Sequence, residues 1–93
     1  MTKVQIRRNR RKAASRRAIK AYWKQAYREA NAQWLAADAA DAALYTDDEL
    51  IELIAGEDHS NQYGLEVARE QSRRELDRCE RQSIEAMRRY LVA

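Results

Sequence analysis

Proline is absent from this 93-residue chain, and glycine occurs only twice, at Gly56 and Gly64. Nothing therefore interrupts a helix over most of the length, and strand-like alternation of β-branched residues is also missing. The expected class is all-α. Phenylalanine is absent too, mean hydropathy is −0.87 and 35% of residues are charged. A chain this short forms one domain at most, and its core starts poor. A partner or a second copy of the chain would help it fold.

Cys79 is the single cysteine. It cannot form an internal disulfide, and a reducing compartment, the cytoplasm, is the default. No apolar run approaches the roughly 18–20 residues of a membrane span, so no membrane partner is expected. No apolar stretch follows the basic N-terminus, which argues against a secretory signal peptide. A transit peptide is the alternative, since residues 1–28 are basic and free of acid.

Catalytic constellations are scarce. His59, the only histidine, sits beside Asp58 with no second ligand at metal spacing. Cys79 has no histidine near it in sequence, which favours a packed thiol over a nucleophile. Asp38 and Asp41 share a helix turn, but the Glu-x-x-His pattern of di-iron bundles is missing. The two glycines build no phosphate loop or dinucleotide fingerprint. The expectation is a protein that is not an enzyme, with no catalytic residues, metal or cofactor.

What is present is charge, and it is segregated. Residues 1–30 hold eleven Lys or Arg against one acid, Glu29, a net of +10. Residues 31–62 hold eight acids and no Lys or Arg, a net of −8, and residues 63–93 hold seven Arg against six acids. This is the pattern of a basic arm with a separate acidic body.

Helical periodicity predicts a first helix from about Val4 to Leu44 with two unlike halves. Ile19, Trp23, Ala26, Ala30, Trp34, Ala37 and Leu44 share one stripe, with Arg17, Lys20, Lys24 and Arg28 opposite. Arg7, Arg8, Arg10, Arg11 and Lys12 point all round the helix and leave no apolar side to bury. Residues 3–17 are therefore expected to project and, through like-charge repulsion, to be largely disordered when free. Thr46 and Glu49 read as a capping box for a short helix carrying Leu50, Ile51, Leu53 and Ile54, which stops near Gly56. Residues 57–64 read as the loop.

From Leu65 onward Ala68, Ser72, Leu76, Cys79, Ser83, Ala86, Met87 and Tyr90 form a second stripe. Glu70–Arg74, Asp77–Arg81 and Glu85–Arg89 stand at i, i+4 spacing on the other faces. The small residues on both stripes allow close approach. The expected architecture is an antiparallel hairpin of two long helices joined by a short helix (18–93), with a projecting basic arm (1–17).

The basic segment is the candidate site. Arg7, Arg8, Arg10, Arg11, Lys12, Arg16, Arg17, Lys20, Lys24 and Arg28 suit a polyanion, because counterion release rewards each cation brought to a phosphate. Arginine adds bidentate contacts to phosphate and guanine. Nucleic acid is the expected partner, RNA ahead of DNA. Tyr22, Trp23 and Tyr27 follow within reach, and Trp23 and Tyr27 are candidates for stacking on an unpaired base. The competing structural role for both is core packing. The competing role for the whole arm is a solvated charge run or a localisation signal.

The run Gln5–Ile6–Arg7–Arg8–Asn9–Arg10–Arg11–Lys12–Ala13 resembles the N-terminal arginine-rich motif of the lambdoid-phage N antitermination proteins. The resemblance implies a short peptide that becomes a bent helix on an RNA hairpin in a nascent transcript. Downstream segments of that family engage the host's transcription machinery. On that analogy Arg7, Arg8, Arg10 and Arg11 bind hairpin phosphates, Trp23 stacks on the loop, and the setting is the cytoplasm of a bacterial host. The alternative is a helical interaction module, such as a phage-type inhibitor or adaptor, in which the acidic segment 38–58 imitates nucleic acid or fills a basic groove. A homodimer is compatible with either reading.

Overall fold

The computed structural model describes residues 2–93. Thr2 opens the first helix: its side chain accepts the Gln5 N–H, and the Gln5 side chain accepts the Thr2 N–H at 2.9 Å. This reciprocal cap satisfies two donors that the helix itself leaves unpaired. Helix α1 then runs unbroken from Lys3 to Thr46, 44 residues. Residues 3–17, expected to be disordered, are helical here. The reason is local: the cap is complete, Ala13, Ala14 and the arginines favour helix, and the nucleation cost is met once for the whole rod.

Helix α2 covers Asp48–Ala55 and α3 covers Gln62–Val92, and no strand occurs among the described residues. The α1–α2 break falls one residue later than the sequence pattern indicated. Thr46 stays in α1, donating its hydroxyl to the Ala42 carbonyl, while Asp47 caps α2 by accepting the Leu50 N–H at 3.2 Å. Asp48 and Glu49 then occupy the first turn, at the positive end of the helix dipole. Gly56 ends α2 at φ 87°, ψ 157°, backbone that is essentially restricted to glycine.

Asn61 shortens the expected loop. Its side chain accepts the Gly64 N–H at 3.1 Å and donates to the Ile54 carbonyl at 3.3 Å, so it starts α3 while tying it to the end of α2. A Cβ on Gly64 would lie 2.4 Å from the Asn61 amide nitrogen, so only glycine fits beneath this cap.

Helices α1 and α3 meet along the second half of α1. The Arg69 guanidinium donates two bonds to the Leu44 carbonyl, at 3.1 and 3.0 Å, and lies over the Tyr45 ring. At the other end Arg89 lies over Trp23, and Lys20 over Tyr90. Leu44, Ala55, Leu65, Leu76, Cys79 and Ala86 form the buried apolar set, joined by Asp41 and Ser83. The core is thin, and among the described residues no large side chain is completely enclosed. Ile19 and Met87, both placed on the packing stripes by periodicity, remain 52% and 41% exposed.

The molecule is a rod of 79 × 17 × 13 Å with a radius of gyration of 22.1 Å. A compact chain of this length would have a radius near 12 Å.

Candidate nucleic-acid interface

The contacts of α3 with α1 place the basic segment. The most N-terminal α1 side chain seen against α3 is Lys20, beside Tyr90, and α3 ends two residues later at Val92. Seventeen residues of α1, about 25 Å of helix, precede that point. Within residues 2–20 every residue is exposed except the half-buried Ala13.

Arg7, Arg8, Arg10, Arg11, Lys12, Arg16, Arg17, Lys20, Lys24 and Arg28 are all exposed. Among the described residues, no acid lies within 4 Å of any of these ten cations. The ion pairs are confined to α3: Glu70–Arg74 at 2.7 Å, Glu75–Arg78, and Glu85–Arg89 at 2.8 Å. Of the three pairs read from spacing, Asp77–Arg81 is not formed; Arg81 bonds to the Asp77 backbone carbonyl instead.

Continuity of α1 adds a feature that the separate treatment of arm and body missed. Lys3, Arg7, Arg10, Arg17, Lys24 and Arg28 are spaced by three, four or seven residues. At 100° per residue they fall within an arc of about 100°, forming one row about 38 Å long. The row crosses from the overhanging segment onto the part of α1 packed with α3, where Lys24 and Arg28 continue it. Arg8, Arg11, Lys12 and Arg16 occupy the other sides of the overhang. The signal was present in the sequence as a heptad spacing of cations.

The aromatic candidates divide. Trp23 is half-buried, with Tyr22 edge-on to it at 5.0 Å and Arg89 5.3 Å from its ring centre. It also lines an open groove of about 440 Å³ between α1 and α3, with Ala26, Ala30, Gln33, Gln82 and Ala86 among its neighbours. Tyr27 is half-buried and lies about 60° round α1 from Lys24, whereas Tyr22 is 65% exposed on the side of the helix away from the row.

At the opposite end of the rod lie the acids. Asp38, Asp47, Asp48, Glu49, Glu52, Glu57 and Asp58 are exposed, and Glu49, Glu52 and Glu57 line a shallow depression with Leu53, itself 81% exposed. The Asp58 carboxyl sits below its ordinary range because Ser60 donates to it from both side chain and backbone. Asp41 is buried, and its Oδ1 has no protein hydrogen-bond partner.

Cys79 is buried on α3, and burial, with the Glu75 carboxylate 3.6 Å away, pushes its thiol pKa up. That environment keeps sulfur protonated, the opposite of an activated nucleophile. Among the described residues no cluster of three His, Cys, Asp or Glu side chains has metal-binding geometry. Among the described residues no helix is long and apolar enough to cross a membrane. No protein-family model, curated protein or solved structure matches the chain.

Proposed function

We propose that this is a non-enzymatic nucleic-acid-binding protein, with structured RNA as its preferred ligand and regulation of transcription as its role. In this reading residues 18–93 form an antiparallel helical hairpin with α2 across its open end, and residues 1–17 are the arm it presents. One observation carries the proposal: ten exposed cations on one helix, with no acid within ion-pair distance of any. Such a surface leaves each charge available for phosphate, and counterion release drives the association. The surplus of arginine, seven to four over lysine in residues 1–30, favours bidentate recognition over simple neutralisation. The likeness of residues 5–13 to phage antitermination motifs directs the choice to an RNA hairpin, with host transcription machinery as the protein partner.

The test is fluorescence anisotropy of the full chain with a hairpin RNA, a random duplex DNA and a single strand. Each is measured across salt, with the parent and with Arg→Lys at positions 7, 8, 10 and 11. The expected slope of log K against log salt is about −0.7 to −0.9 per phosphate contact. The lysine variant should lose roughly tenfold or more on the hairpin, and little on duplex DNA. Equal affinity for all ligands, unchanged in the lysine variant, would remove the case for RNA recognition. No binding at low salt would remove nucleic acid altogether.

A second reading rests on the acidic end. Exposed Leu53 ringed by Glu49, Glu52 and Glu57 fits a basic protein groove, which would make the chain an inhibitor or adaptor. Glu49→Lys with Glu52→Lys would then abolish partner capture while leaving RNA binding intact.

A further inference from the structure

The chain exposes 7562 Å², roughly 2,000 Å² more than a compact monomer of its 10.9 kDa mass. Part of this excess is the overhanging segment. Part is the open groove, floored by the buried Ala86, in which half-buried Trp23, Ala26 and Ala30 are flanked by Glu29 and Arg81.

We infer that this groove seats the same groove of a second copy, related by a twofold axis, so that two α1–α3 pairs make an antiparallel four-helix homodimer. The inference rests on the side-by-side packing of α1 and α3, and not on nucleic-acid binding.

Three features select a second copy as the occupant. The first is area. The stretch where α1 and α3 lie together is about 40 Å long, and the molecule is 17 Å across. A face of roughly 700 Å² per copy approaches the ~800 Å² per partner of standard interfaces. The second is shape: alanine at positions 26, 30 and 86 lets helices approach closely, while the Trp23 ring supplies a knob. The third is charge, and it sets the orientation. The groove straddles the point where α1 changes sign, between Arg28 and Glu29. A twofold axis near residue 28 lays residues 7–17 of one copy beside 39–49 of the other. Arg8, Arg11 and Lys12, which lie on the groove side of α1, then run past the end carrying Asp47, Asp48 and Glu49. A parallel pairing would set like charges against each other. The pairing also leaves Arg7, Arg10 and Arg17 on the outward side, since the segment is basic all round.

Sedimentation equilibrium of the full chain without nucleic acid tests the inference. At tens of micromolar and moderate salt, the expected mass is twice 10.9 kDa. Ala30→Arg should shift the chain to monomer while far-UV circular dichroism still reports a helical protein. Arg8→Glu with Arg11→Glu should weaken the dimer by tenfold or more. Mixing that variant with Asp48→Lys, Glu49→Lys chains should recover a heterodimer. A parent that stays monomeric at 100 µM, or an Ala30→Arg chain that dimerises undiminished, overturns it. Failure of the charge-swapped chains to pair overturns the antiparallel orientation.

Discussion

Asp41 is the side chain least at ease in this molecule. It is buried on α1, one turn before the buried Leu44. One of its carboxylate oxygens is buried with no protein partner, a situation that costs on the order of 1–3 kcal/mol. Alanine would remove the orphaned oxygen and raise helix propensity at once. Asp41→Ala is expected to stabilise the protein by about 1–2 kcal/mol, read as a higher urea midpoint with an unchanged slope. A lower midpoint would show that the carboxylate has a stabilising partner, such as bound water. Spacing alone placed Asp41 beside Asp38 and within the acidic segment; it could not show that one is buried and the other exposed.

At the scale of elements, α1 joins two kinds of helix in one rod. Its second half is held by α3, with Arg69 forked onto the Leu44 carbonyl to satisfy the helix end. Its first half has no such support, and Arg7–Arg11, Arg8–Lys12 and Lys12–Arg16 set like charges at i, i+4, each costing about 0.2–0.5 kcal/mol. The overhang is helical because it extends a helix already nucleated and capped by Thr2 and Gln5. A peptide of residues 1–18 should therefore be mostly unfolded at low salt by circular dichroism. Added salt, which screens the repulsion, should increase its helix content. High helicity at low salt would mean the segment's own propensity suffices.

For the whole molecule, the basic overhang and the buried set occupy different lengths of the rod. Deleting residues 2–17 removes no side chain of the buried set Leu44, Ala55, Leu65, Leu76, Cys79 and Ala86. The truncated chain should keep a cooperative melting transition and bind no RNA. Loss of the transition would make the overhang structural and leave no separate binding arm.

Much of this was legible in residues 1–93 themselves. The absence of proline and the placement of Gly56 point to helices, and to no strand among the described residues, because backbone geometry and helix periodicity are local properties. The sign change along the chain is likewise plain in the sequence. Local choices between neighbours were harder to read: Asp47 rather than Thr46 caps α2, and Asn61 starts α3 early, since each outcome depends on competing hydrogen bonds. Only the tertiary structure decided which stripe residues are truly covered. Leu76 is buried whereas Ile19 and Met87 are not, because burial depends on how far α3 reaches along α1. It also decided that the basic segment and the Lys24–Arg28 turn form one straight row, since that alignment requires the helix to continue without a break from Lys3 to Thr46.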